Sequence, residues 1–382
     1  MNRMPLSRIG MLGVLTGAGR NDEPAAEPHF CGKLLEYGPR YGLQVVILTP
    51  AGIASPSGGI TGWQLVNREW QSISCELPDL IYDRCLVPGG AEARRQLARL
   101  FSLQAKPLRY WGQPLPGKWL VHTALQQDSR LRPHLPPTVL YGGPDQLQSR
   151  LLPSRNGIIL KPVGGMQGKG VLHIRPESSG SSFAIRGRTR LNEPFSRTFP
   201  AVEAATAWLH RWIGRRPYLV QPYLQLTTSG GQPYDIRALL QKNGRGRWTV
   251  TGLAAREGSA EGLTSNLHGG GRASPAHAYL QAQHGLAHAE EACRQIEQLA
   301  LEAAARLEAQ FGRLGELGVD FGVGLADRHL WILEVNSKPG RTSFYTAGTP
   351  AQAEQSITRP LAYARYLLLR SPGRIWHDRT AL

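Results

Sequence analysis

The segment that most restricts what this chain can become is Lys161-Pro162-Val163-Gly164-Gly165-Met166-Gln167-Gly168-Lys169-Gly170, entered from an apolar run over 157–162 and left through another over 171–174. Short apolar runs on both sides of a glycine loop read as two strands joined in a hairpin, not as a strand turning into a helix. Glycines let main-chain N–H groups approach polyphosphate oxygens, and the lysines add point charges. The pattern is not a Walker loop, because Gly170 follows Lys169 where that loop carries a hydroxyl for magnesium, and the glycine order does not fit the dinucleotide fingerprint either. Read alone, the segment is either a lid over phosphates, using Lys161, Gly164, Gly165, Gly168, Lys169 and Gly170, or a flexible hairpin tip.

A second group lies far downstream. Asp320, Glu334 and Asn336 fall on two expected strands, 318–324 and 329–335, at their ends or inward positions. Hard oxygen ligands of this kind suit Mg²⁺, which keeps waters and bridges nucleotide phosphates. The alternative is a pair of solvated strand-end carboxylates. A third group is Asp235-Ile236-Arg237, with Arg256 on the next strand. Alternation puts Asp235 and Arg237 on one face, where they can meet the phosphate end of a nucleotide or can simply form a structural ion pair. Arg256 is the preferred cation for charge that develops during reaction, with Lys161 and Arg237 beside it as catalytic candidates.

Around these groups the chain alternates strands and helices. Apolar runs at 9–15 and 43–48 with a helical stretch at 30–37 suggest a small βαβ unit; 80–82 and a helix over 91–103 follow, and Pro114, Pro116 and Gly117 mark a boundary near 112. Strands are expected at 138–141, 218–222, 235–241 and 248–255. Residues 258–275 read as loop, and the strongest helix runs over 289–311. The expected units are 1–112, 113–225, 226–370 and a tail, 371–382.

Composition narrows the partners. Lys and Arg number 44 against 28 Asp and Glu, a net charge of +16, so the surface should attract anions. The basic residues are scattered and no zinc-finger spacing exists, which argues against nucleic acid as the main partner. Four cysteines without a C-x-x-C pair suggest neither structural zinc nor a disulfide framework. No apolar run approaches a membrane span and the start lacks a signal-like pattern, so a soluble cytosolic protein is expected. His284 and His288 have metal-compatible spacing but no third ligand, and a helix face accounts for them better than zinc.

Taken in order, Lys118, Lys161 with its loop, Val220-Gln221-Pro222-Tyr223, Asp320 and Glu334-Val335-Asn336 resemble the ATP-grasp superfamily over roughly 113–350. Lys118-Trp119, Asp235-Ile236-Arg237, Gln241-Lys242-Asn243, Trp248 to Gly252 and Trp331 to Pro339 are most similar to the endospore coat-associated YheC/YheD-type proteins, as are Pro78-Asp79 and Tyr82-Asp83-Arg84. That resemblance implies an ATP-grasp fold of two α+β lobes clasping ATP, after a small α/β domain, and a mother-cell or spore-coat setting. It implies that Lys118 and Lys161 bracket the phosphates, that Gln221 and Tyr223 line the adenine slot, and that Asp320, Glu334 and Asn336 hold Mg²⁺. The run Ser265-Asn266-Leu267-His268 is similar to ATP-grasp ligases that add amino acids to protein or peptide carboxylates, which favours a ligase over a kinase, places Asn266 among the nucleotide contacts, and makes a carboxylate on a peptide or acidic polymer, with an amine, the candidate substrates. One departure is Gly324, where the family often has a second aspartate; Asp327 in the following turn is the candidate to compensate.

Overall fold

A computed structural model describes residues 7–19, 23–53, 59–86, 89–104, 107, 109–165, 168–177, 182–259 and 271–370. Three sheets organise them. In the first, Gly10–Leu15, Leu43–Leu48, Leu80–Asp83 and Tyr110–Trp111 run parallel, and the hairpin of Ile60–Val66 and Glu69–Cys75 extends one side antiparallel. The parallel strands are continuous apolar runs because both of their faces are covered. Leu12 and Val14 face the helices Pro28–Tyr37 and Pro350–Leu369, while Met11 and Leu15 face Gly90–Leu103. The edge hairpin closes through Asn67 and Arg68, both at positive φ (52° and 70°), the geometry that matches the twist of a two-residue turn.

The second sheet is antiparallel, in the order Pro194–Phe199, Phe183–Arg188, Leu172–Pro176, Ile158–Pro162, Tyr218–Pro222, Val139–Leu140. Alternation divides its faces. Ile158, Leu160, Leu172, Ile174, Ile185 and Val220 pack on the helices Pro144–Leu151 and Val202–Ile213, which leaves Ile159, Lys161 and Gln221 on the opposite face.

The third sheet has Tyr234–Lys242 at its centre, between Trp248–Glu257 and Glu316–Val323, with Arg272–Pro275 and Leu330–Asn336 outside them. Ile236, Ala238 and Leu240 pack against Leu286–Phe311, where alanines at 289, 292, 300, 303 and 304 keep the contact surface low. Gly312 at φ 84° ends that helix. Part of the stretch expected to be loop differs: Arg272–Pro275 is an edge strand, held by pairing of Ala255 with Ser274, and it leads into a helix, Ala276–His284. Tertiary pairing decides that strand, and no local pattern announces it.

The helix Pro350–Leu369 returns the chain to its beginning. Ile357, Leu361, Ala364 and Leu367 complete the apolar layer over the first sheet, and Trp111 stacks flat on Tyr82 with ring centroids 3.9 Å apart beneath them.

Candidate active site

A cleft of about 930 Å³ opens where the three sheets meet. From the second sheet it is lined by Ile159, Lys161 and Gln221, with Gly168 and Tyr223 beside them; Lys118 enters from the first turn of the helix Lys118–Gln126. The Lys118 amide donates to the Val163 carbonyl at 3.2 Å, so this helix and the glycine loop are tied at the backbone. Loss of water around Lys161 pushes its amine down to about 8, the Lys118 charge adds to the fall, and Glu334 and Asp320 oppose it. Where the loop returns to the sheet, Gly170 sits at φ 74°, which suits glycine, its carbonyl accepting from the Tyr218 hydroxyl at 3.1 Å.

The opposite wall comes from the third sheet. Asp320 lies directly across from Glu334, and Gly318 across from Asn336. The ladder shifts register between Asp320 and Phe321, leaving Leu333 as the extra residue, and so both Leu333 and its neighbour Glu334 face the cleft. Asn336 Nδ2 is 3.4 Å from Asp320 Oδ2, and Lys118 Nζ is 3.5 Å from Glu334 Oε1. On the neighbouring strand Arg237 faces Asp320 and holds it through both Nε and Nη2. Arg256 forks onto Asp235 at 2.7 and 2.6 Å and also reaches Asp320 at 3.0 Å. Burial works to raise the Asp320 carboxyl, but Arg237 and Arg256 win and hold it below the ordinary carboxylate range. The salt bridges are therefore Asp235 with Arg256 and Asp320 with both arginines.

The donor set suits a magnesium nucleotide. Two carboxylates and an amide oxygen are the kind of hard ligands Mg²⁺ prefers, and two lysines line the same cleft. The description "YheC/D like ATP-grasp" matches residues 108–367. The chain belongs to that family. It is 29% identical over 357 residues to the endospore coat-associated protein YheC of Bacillus subtilis (strain 168), covering 89% of this chain and 93% of that protein. Among solved structures it is similar to the D-cycloserine synthetase DcsG (TM-score 0.51, 15% identity, 92% of this chain and all of that one). It is also similar to the ATP-grasp ligase PsnB, in a complex with a phosphomimetic variant of its minimal precursor, Mg and ADP (TM-score 0.51, 13% identity, 96% of this chain and all of that one). The fold is the α/β ATP-grasp fold that the family's motifs imply.

Of the residues singled out from sequence, Lys118, Lys161, Gly168, Gln221, Tyr223, Arg237, Arg256, Asp320, Glu334 and Asn336 line this one cleft. Gly164, Gly165, Lys169 and Gly170 belong to the loop but not to the lining. Asn266, with 260–270, lies outside the described residues, as do Met166 and Gln167. Asp327 does not reach the oxygen ligands: it is exposed at the hairpin tip, accepting from the His329 amide at 3.1 Å, because the turn carries it beyond the strand ends. The rings of His284 and His288 lie 5.2 Å apart and His284 contacts the Tyr234 hydroxyl at 2.9 Å; among the described residues no group of three His, Cys, Asp or Glu side chains could hold a metal.

Sequence reasoning missed the far wall. Glu316 is 2% exposed and accepts from Tyr82, Arg84, Arg341 (2.5 Å) and Gln241 (3.2 Å). Arg84 also forks onto Glu27 at 2.6 and 2.8 Å and donates to the Pro339 carbonyl, and Arg341 donates to the Ser356 carbonyl at 3.1 Å. Beside them Lys338 pairs with buried Asp83 at 2.7 Å. This network ties the first sheet to the third and to the last helix. Its sequence signals were the family-like segments Tyr82-Asp83-Arg84, at a strand end, Gln241-Lys242-Asn243 and Trp331 to Pro339.

Proposed function

We propose that this protein is an Mg-ATP-dependent ligase that joins a carboxylate to an amine through an acylphosphate, and that it works in spore formation. The observation that carries the reading is the convergence of Lys118, Lys161, Arg256, Asp320, Glu334 and Asn336, drawn from separate segments, on one cleft. The relatives support it: PsnB is an ATP-grasp ligase captured with Mg and ADP, and YheC is an endospore coat-associated protein.

On this reading Asp320, Glu334 and Asn336 hold magnesium, and Lys118 and Lys161 hold the phosphates while Leu333, Gln221 and Tyr223 line the base. Magnesium, when bound, offsets negative charge on the phosphate oxygens. A carboxylate oxygen of the first substrate attacks the γ-phosphorus as the bond to the ADP oxygen breaks; Lys161 and Arg256 stabilise charge on the transferring oxygens. The amine then attacks the acyl carbon, phosphate leaves, and the amine loses its proton. Because acylphosphates hydrolyse, the loop over 164–170 is assigned the task of excluding water. We assign 1–112 to the leading α/β domain and 113–225 and 226–370 to the two lobes; 371–382, expected to be a tail, lies outside the described residues.

A second reading, an ATP-binding coat component with little or no turnover, is favoured by one observation: both oxygens of Asp320 are already engaged by Arg237 and Arg256. Incubation with Mg-ATP and panels of carboxylates and amines separates the two. ADP release that requires both substrates supports the ligase; tight nucleotide binding with no ADP from any pair leaves only the second reading. Glu334→Gln removes one ligand charge at nearly constant volume and should weaken Mg-dependent nucleotide binding at least tenfold, while unchanged binding removes the metal assignment.

A further inference from the structure

The segment that forms the second sheet and its two helices carries more positive charge than its share of nucleotide phosphates requires. Residues 139–222 hold twelve Lys and Arg against four Asp and Glu, half of the chain's net +16 in little more than a fifth of its length. Alternation and register decide where the strand-borne part of that charge goes. Gln221 pairs with Ile159, Ile159 with His173, and His173 with Arg186, so the face that lines the cleft continues outward as His173, Arg175, Arg186 and Arg188. The opposite face is spent on the apolar core beneath two helices.

Carboxylates leave the charge on this face uncompensated. Arg84, Arg94, Arg237, Arg256 and Arg341 are buried or half-buried and each meets a carboxylate, whereas among the described residues Arg175 and Arg188 on this face form no ion pair. Uncompensated like charges gathered on one small lobe repel each other, and a polyanion relieves that repulsion. Burial pushes His173 down to about 4, with Arg175 and Arg186 adding to the fall against a hydrogen bond to the Asn156 carbonyl; at neutral pH the charge of the part of this face beyond Lys161 is therefore arginine alone.

We propose that this face docks an acidic polypeptide, which lies across Arg175 and Arg188 and presents one of its own carboxylates to the site at Lys161 and Glu334. The proposal rests on the ligase reading, and it names the first substrate as a carboxylate carried on an acidic chain. The outer edge of Pro194–Phe199 has no strand partner among the described residues and offers main-chain hydrogen bonds to an extended peptide. A single-stranded nucleic acid would need aromatic platforms, and the rings here are spent on each other: Tyr223 stacks on His173 at 4.0 Å, and Trp208 on Trp212 at 5.1 Å beside Phe195.

The test is fluorescence anisotropy of labelled oligoglutamate, and separately of labelled oligothymidylate, with the full chain at low salt and without nucleotide. The wild type should bind oligoglutamate more tightly than oligothymidylate. Arg175→Glu with Arg188→Glu should weaken oligoglutamate at least tenfold while leaving Mg·ADP affinity within twofold, and the double lysine variant should restore it. No oligoglutamate binding by the wild type, or equal binding by the charge-reversed variant, overturns the proposal. Tighter oligothymidylate binding that depends on the same arginines overturns it in favour of nucleic acid. Failure of the ligase reading shows differently, as a chain that binds the peptide but releases no ADP with any carboxylate.

Discussion

Lys161 offers a quantitative handle on the site. Its amine is pushed down to about 8 by loss of water and by Lys118, whereas a polyphosphate beside it would favour the charged form. In the free protein roughly nine-tenths of the Lys161 side chains are charged at pH 7, about half at pH 8 and roughly one-tenth at pH 9. If nucleotide binding requires the ammonium, the sign follows: affinity is greatest below pH 8 and falls as pH rises, by about tenfold between pH 7 and 9, or about 1.4 kcal/mol. The same linkage demands proton uptake on binding, near half a proton at pH 8 and close to none at pH 6.5. Calorimetric titration of Mg·ADP at pH 8 in buffers of different ionisation enthalpy reads that uptake directly. Lys338, which lines the same cleft, is also pushed down to about 8 by burial against the pull of Asp83, so Lys161→Arg is the control that isolates the effect. The arginine variant should bind with a flat pH profile and no proton uptake at pH 8. Uptake that is absent in the wild type, or identical in Lys161→Arg, would refute the placement of Lys161 against the phosphates.

Two further outcomes follow from the geometry. Glu316→Gln leaves Arg84 and Arg341 buried without their shared carboxylate, a loss of about 3–5 kcal/mol; with an unfolding entropy of about 0.8 kcal/mol/K for a chain of this size, scanning calorimetry should register a Tm lower by about 5 °C, and a shift under about 1 °C would show that the network does not hold the sheets together. Gly170→Ala puts a methyl group 3.0 Å from Pro162 and from the Tyr218 hydroxyl at φ 74°, which costs about 1–2 kcal/mol and should weaken Mg·ADP up to tenfold, while Gly164→Ala, which meets open space, should stay within twofold of the wild type.

Much of this arrangement can be read from local pattern. Leu43–Leu48 and Tyr218–Pro222 are where their apolar runs predict, and the helix expected over 289–311 runs over Leu286–Phe311, because period and end signals are properties of neighbouring residues. The glycine loop and the Glu334 segment are legible for the same reason. What escapes is set by contacts across the chain. Pro350–Leu369 carries a proline at 360 inside it and owes its place to the first sheet, and Glu316 meets Arg84 across 232 positions, so no periodicity near either residue announces their pairing. The bulge that turns both Leu333 and Glu334 toward the cleft is likewise a mismatch between two strands, invisible in either one.

The return of the final helix to the first sheet also sets a timetable for biogenesis. Trp111 leaves the ribosome roughly 250 residues before Ile357, which at about 5–20 residues per second is about 10 to 50 s of translation. Throughout that interval the nascent first sheet lacks the covering that Leu361, Ala364 and Leu367 later provide, and its apolar side is open to chaperones or to other unfinished chains. A ribosome stalled before residue 350 should hold a leading domain that is protease-sensitive, and release of the remaining segment should protect it.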